Sequence, residues 1–252
     1  MEKLTFCKNC NHSFMGKFCN NCGQDAETHR LSFHYIWHDL QHGLFHFDNG
    51  IFYTIKQLLT RPGHAIREFI HGKRVRHSKP LTFVVILATL YGLLYHFFIH
   101  NIFDVQSIHP TENVVNTFKK VIQWNLDHLA YTVIILIVST TIVSYQVFKK
   151  KGCNLAENLV LNTYYRGLEL VITLLLFPVL YVLSKNNAEG LRTYALLSQV
   201  LDFVLMYWCY AQFFDKLTKI QAFGRVVLTY SFMSVINMTI GYVASWIASV
   251  VS

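Results

Sequence analysis

Residues 81–99 and 129–148 contain no formally charged side chain, and each run matches the ~20 apolar residues that carry a helix across hydrocarbon. Three more apolar stretches follow at 168–184, 194–214 and 226–251. The first has Glu169 near one end and Pro178 inside, the second has Asp202 in its middle, and the third is uninterrupted. The pattern predicts an all-α integral membrane protein with about five transmembrane helices. Ahead of the first span the period changes to that of short amphipathic helices. Residues 32–47 hold Phe33, Trp37, Leu40, Leu44 and Phe45; residues 51–59 place Phe52, Ile55 and Leu58 on one side; a third segment through Ile66, Phe69 and Ile70 starts at Pro62 and stops at Gly72. Asp48-Asn-Gly50 and Thr60-Arg-Pro-Gly63 separate them. These juxtamembrane helices either lie on the inner leaflet or fold back as a re-entrant pair. An apolar stripe through Val114, Phe118 and Ile122 predicts a further helix resting on the outer leaflet. The domain plan is a small module at 1–28, interfacial helices with a basic cluster at 29–80, and a helical membrane domain at 81–252.

Composition agrees with this plan. The 252 residues are 53% hydrophobic and 14% charged, with a mean hydropathy of +0.32, well short of the quarter of charged residues usual in a soluble domain. The net charge of +8 is distributed unevenly. Eighteen Lys and Arg lie in 1–80, 149–167 and 215–225, against four in 100–128 and 185–193. By the positive-inside rule the first set is cytoplasmic, so the N-terminus is inside and, with five spans, the C-terminus is outside. The basic balance is therefore a topology signal, and no nucleic-acid partner is expected.

Four cysteines punctuate the module, Cys7-x2-Cys10 and Cys19-x2-Cys22, with eight residues between the pairs. Two such knuckles supply the four soft ligands of a closed tetrahedral site, and a segment this short has no core of its own, so a structural Zn2+ is expected to hold it together as a zinc ribbon. Iron shares the spacing. Disulfides need an oxidising compartment, and nothing resembling a secretory signal precedes Cys7. A closed four-thiolate site leaves no position for substrate, so a catalytic metal is not expected.

His34, His38, His42 and His46 recur every fourth residue along one slowly drifting helix face. They form either a second metal or pH-sensing site, or the headgroup-facing side of an interfacial helix whose aromatics enter lipid. Arg61, Arg67, Lys73, Arg74, Arg76 and Lys79 crowd the approach to the first span, where they contact anionic lipid headgroups or a phosphate, or serve only as the charged stop that sets topology. Within the membrane Asp202, with Gln199 three residues before it, marks either a proton or cation pathway or a structural hydrogen bond to a neighbouring helix. Cys153 and Cys209 have no adjacent base. The chain lacks a Walker loop, a dinucleotide glycine pattern, a Gly-x-Ser-x-Gly elbow and a His-Glu-x-x-His helix, so no enzyme activity is expected.

Phe18-Cys-Asn-Asn-Cys-Gly-Gln24, Asp48-Asn-Gly50 and the run Thr60-Arg-Pro-Gly-His-Ala-Ile-Arg-Glu-Phe-Ile-His-Gly-Lys-Arg-Val-Arg-His-Ser-Lys-Pro80 leading into a span together resemble a bacterial family of zinc-ribbon membrane proteins classified only as a domain of unknown function. The resemblance covers about residues 4–99 closely and the later spans by hydropathy. It implies a bacterial inner-membrane protein and provides no catalytic residue. The expected role is that of a non-enzymatic adaptor or scaffold whose cytoplasmic ribbon contacts a partner protein; the alternative is a small transporter or channel with a polar pathway at Asp202.

Overall fold

The computed structural model describes residues 4–33, 50–98, 129–149, 151–185 and 188–251. The expected helix of 32–47 with its four histidines and the expected outer-leaflet helix through Phe118 lie outside these. The chain opens with a two-stranded antiparallel ribbon, β1 (Thr5–Phe6) and β2 (Ser13–Phe14), with Thr5 opposite Phe14 and Phe6 opposite Ser13. Eight helices follow among the described residues: α1 (Ile51–Thr60), α2 (Pro62–Ile70), α3 (Pro80–Phe98), α4 (Leu129–Val147), α5 (Leu155–Leu175), α6 (Phe177–Lys185), α7 (Ala188–Phe213) and α8 (Lys219–Val251).

Two helices, Pro80–Phe98 and Lys219–Ile240 within α8, are long and apolar enough to cross a membrane; α5 and α6, bent by 54° at their junction, make a third if the pair is one span, and Tyr131–Val147 is apolar but shorter. Large apolar side chains such as Leu93, Ile134, Val200 and Val235 are half or more exposed. In water such faces would associate, whereas hydrocarbon solvates them. The chain is thus a mostly helical protein with membrane-span-like helices.

At the centre lies α5. It packs against α1, α2, α3, α4 and α7, and its residues from Ala156 to Leu168 are buried except Leu159. Asn154 starts it with a capping box: its side chain accepts from Glu157 N at 2.8 Å, and its own N–H donates to Glu157 Oε2 at 2.9 Å, so two orphan donors are satisfied reciprocally. The expected apolar stretch at 168–184 is thus the second half of a longer helix followed by a bend. Its polar first half occupies the core because its amides and hydroxyls find partners on neighbouring helices, and partnered polar groups can be buried.

The two short helices are part of this core as well. Leu58, Ile66, Phe69 and Ile70 are buried with Tyr164, Leu168 and Cys209. Pro62 sits in the first turn of α2, where no N–H is needed. Gly72, at φ +108°, ends the helix, with Gly72 N bonding Phe69 O and Lys73 N bonding Glu68 O. Gly63 faces α7 so closely that its missing Cβ would lie 2.3 Å from Phe213 N and 2.4 Å from Cys209 O.

Candidate functional site

The four thiols of the ribbon converge. The Sγ atoms of Cys7, Cys10, Cys19 and Cys22 all lie within 4.8 Å of one another, with Cys7 to Cys22 at 3.5 Å and Cys10 to Cys19 at 3.6 Å. Tetrahedral thiolates ~2.3 Å from a zinc ion stand roughly 3.8 Å apart, so the donor set fits such an ion. The two knuckles are built alike. Cys7 N bonds His12 O and Asn11 N bonds Cys7 O; at the second, Cys19 N bonds Gln24 O and Gly23 N bonds Cys19 O, all at 2.8–2.9 Å. The residue after each second cysteine takes a left-handed backbone, Asn11 at φ 59° and Gly23 at φ 75°. Glycine does so freely and asparagine is the side chain that best tolerates it. The role of Gly23 is readable from glycine alone; that of Asn11 emerges only from the repeat of Cys-x2-Cys followed by a turn-former. Burial pushes the Cys7 thiol up to about 11, while hydrogen bonding, first from the Asn21 side chain and then from the His12 backbone, holds Cys10 down to about 6. The cluster can bind a metal ion, and binding must displace the proton of the buried member.

The ribbon is fastened to the helices. Within the module Lys8 Nζ donates to Thr28 O at 2.6 Å; across to the rest of the chain, Arg74 Nη2 donates to His29 O and Asn154 Nδ2 donates to Leu31 O, both at 3.0 Å. Arg30 grips Glu157 with both prongs, Nε to Oε1 at 2.6 Å and Nη2 to Oε2 at 2.9 Å. The Glu157 side chain is only 5% exposed, against 64% for Arg30. The carboxylate that caps α5 therefore also anchors the segment leaving the ribbon.

The basic residues ahead of α3 have different surroundings. Arg61 reaches Gln57 at 2.6 Å and the Glu68 carboxylate at 3.2 and 3.3 Å, and Lys73 reaches Glu68 at 3.4 Å. Burial pushes the Glu68 carboxyl up, yet Arg61 and Lys73 together outweigh it and hold the group below its ordinary range. Arg67 pairs with Asp215 in the α7–α8 turn. Arg74 lies over the Phe69 ring at 5.6 Å. Arg76 is exposed and Lys79 half-buried. Neither Glu68 nor Asp215 was legible as a partner from spacing. His77, buried between the edges of Tyr53 and Phe69, is pushed down to about 4, chiefly by burial.

Asp202 accepts a hydrogen bond from Tyr165 on α5. Gln199 is exposed and its carbonyl accepts from Tyr230 at 3.1 Å. One helical turn on from Asn162, Arg166 pairs with Glu169, and the buried Arg166 Nε has no partner among the described residues. Asn162 Oδ1 accepts from Tyr210, and Ser144 accepts from both Asn158 and Asn162 at 3.0 Å. Asn158, Asn162, Tyr165, Arg166 and Glu169 thus form a polar stripe on α5 at helical spacing. Cys153 is pushed up to about 11 by burial, which makes it a poor nucleophile.

Among known proteins, a family profile described as "Protein of unknown function (DUF3667)" matches residues 48–92. That segment contains α1, α2 and most of α3, and with them the Arg61-Pro62-Gly63 and Gly72-Lys73-Arg74 pieces; the four cysteines lie before it. No curated protein and no solved structure matches the chain.

Proposed function

We propose that this is a non-enzymatic adaptor or scaffold of a bacterial inner membrane, whose zinc-bound ribbon presents a protein-docking surface in the cytoplasm. The observation that carries this reading is the outer face of the ribbon. Leu4, Phe6, Met15 and Phe18 are each more than half exposed on a module whose buried residues are Cys7, Phe14, Cys19, Gln24 and Thr28. Apolar side chains kept in water on a metal-clamped tip are suited to protein contact, and four thiolates around a zinc ion leave no position for catalysis. Two features support the orientation: the eighteen-to-four bias of Lys and Arg, and the reducing cytosol that keeps thiols available for metal. The remainder of the protein would hold the ribbon at the bilayer, with anionic headgroups against its basic face. Crosslinking pull-downs test this: Phe6→Ser with Phe18→Ser, which spares the metal ligands, is expected to remove enriched partners. An unchanged partner list would refute it.

A second reading, a small transporter or channel, draws support from the polar stripe of α5 and from Arg166 Nε, unpartnered among the described residues, beside Glu169 and Asp202. Buried ionisable groups at membrane depth mark ion or proton routes. Proton or cation flux in proteoliposomes that Asp202→Asn abolishes would favour it over the adaptor.

A further inference from the structure

Four separate stretches of chain meet around a cleft of about 760 Å³, within the size range of small-molecule sites. They are the ribbon and its exit, the end of α2, the α4–α5 turn and the α7–α8 turn. Ile70, Phe213 and Phe214 are buried and form an apolar floor. The walls carry Lys8, Arg30, Arg67, Lys151 and Lys216 against two carboxylates, Glu157 and Asp215. Both acids are already engaged, Glu157 by Arg30 and Asp215 by Arg67, and these pairs hold the guanidinium groups at the rim. Among the described residues Lys8, Lys151 and Lys216 have no carboxylate partner, and Lys8 is aimed by its bond to Thr28 O. His29 and His71 line the same walls.

We propose that this cleft is a binding site for a phosphate-bearing anion, held by Lys8, Lys151 and Lys216, with Arg30 and Arg67 positioned at its edge. Cations drawn from sequence positions more than two hundred residues apart converge on one hollow, where their mutual repulsion is relieved by a multiply charged anion. A dianionic phosphate matches three ammonium groups better than a single carboxylate does, and ammonium groups bind phosphate as point charges without demanding a fixed fork geometry. Only Arg67 is shared with the cluster preceding α3, where Arg61 and Lys73 are taken up by Glu68. The bound anion would also tie the ribbon to the helices, since Lys8 belongs to one and Lys151 and Lys216 to the other. The inference stands independently of the adaptor reading.

The chemistry is shared by a soluble phosphate compound and by the headgroup of an anionic lipid, and the test separates them. The full chain, zinc-loaded and in neutral detergent, is titrated calorimetrically with inorganic phosphate at constant ionic strength; in a second arm, nanodiscs of phosphatidylcholine with phosphatidic acid are assayed for retained phosphatidic acid by native mass spectrometry. Lys151→Gln with Lys216→Gln is expected to weaken binding by about tenfold or more. Lys17→Gln with Lys56→Gln, two exposed lysines elsewhere with the same change in net charge, leaves it unaltered. Lys151→Arg with Lys216→Arg keeps the charge and retains binding, which separates loss of a ligand from loss of folding. Saturable phosphate binding that follows this pattern identifies a soluble ligand; retention of phosphatidic acid alone, following the same pattern, identifies a headgroup. Binding in neither arm, or equal weakening by both lysine pairs, overturns the proposal.

Discussion

Gly63→Ala tests whether the Arg61-Pro62-Gly63 motif serves helix packing. The methyl group would enter space where Phe213 N, Cys209 O and Gln212 Cβ stand at 2.3, 2.4 and 2.5 Å, two of the three being backbone atoms that no rotamer change can move. Ordinary contact needs 3.4 Å or more, so α2 and α7 must part by about 1 Å, and overpacking of this kind costs about 1–3 kcal/mol. The same separation stretches the bond from Gly63 N to Gln212 Oε1, now 3.2 Å, losing about 1 kcal/mol. Helix propensity returns up to about 1 kcal/mol. The net expectation is a loss of about 1–3 kcal/mol, or an apparent melting temperature lower by roughly 2–12 °C for a chain of this length. The assay is thermal unfolding in detergent beside Gly224→Ala, where a Cβ meets nothing within 4 Å and the expected change is neutral or slightly stabilising. A Gly63→Ala protein that melts with or above the wild type would refute the reasoning.

Three further outcomes are expected. His77 is held near 4, below its unfolded value of ~6.5, so the unfolded chain binds the extra proton first: stability is full above about pH 6.5 and falls by about 3 kcal/mol as pH drops to about 4. His77→Phe flattens that limb in unfolding measured against pH. Elemental analysis finds about one zinc ion per chain, which a strong chelator or acidification releases because the thiols must be deprotonated to bind; Cys19→Ser abolishes retention, and a metal-free native protein would contradict the site. Arg30→Ala strands the Glu157 carboxylate, 5% exposed, and costs about 1–3 kcal/mol, whereas adding Glu157→Gln recovers part of the loss by removing the stranded charge. A double variant no more stable than Arg30→Ala would show that the pair carries no coupling.

Much of the architecture is legible in local pattern. The charge-free run at 81–99 announces a membrane-span-like helix, Pro62 and Gly72 mark the start and stop of α2, and the Cys-x2-Cys pairs mark the convergent thiols. Each of these depends on residues near one another in the chain. The identity of the innermost helix was less accessible. Residues 155–167 lie outside every apolar run of span length, yet they are the most buried part of the described structure, because Ser144, Ser78, Asp202 and Tyr210 on other elements satisfy their polar groups. The partners of Arg30, Arg61 and Arg67 were equally hidden.

Composition and periodicity alone determined that this chain makes helices suited to lipid and carries a metal-ready tip, since hydropathy and ligand chemistry are properties of the residues themselves. Only the tertiary structure decided which polar groups are buried and which cations converge on a common hollow. Burial of a charge or an amide is tolerated when a partner stands within hydrogen-bonding distance, and that partner comes from whichever distant segment the packing of the helices brings alongside.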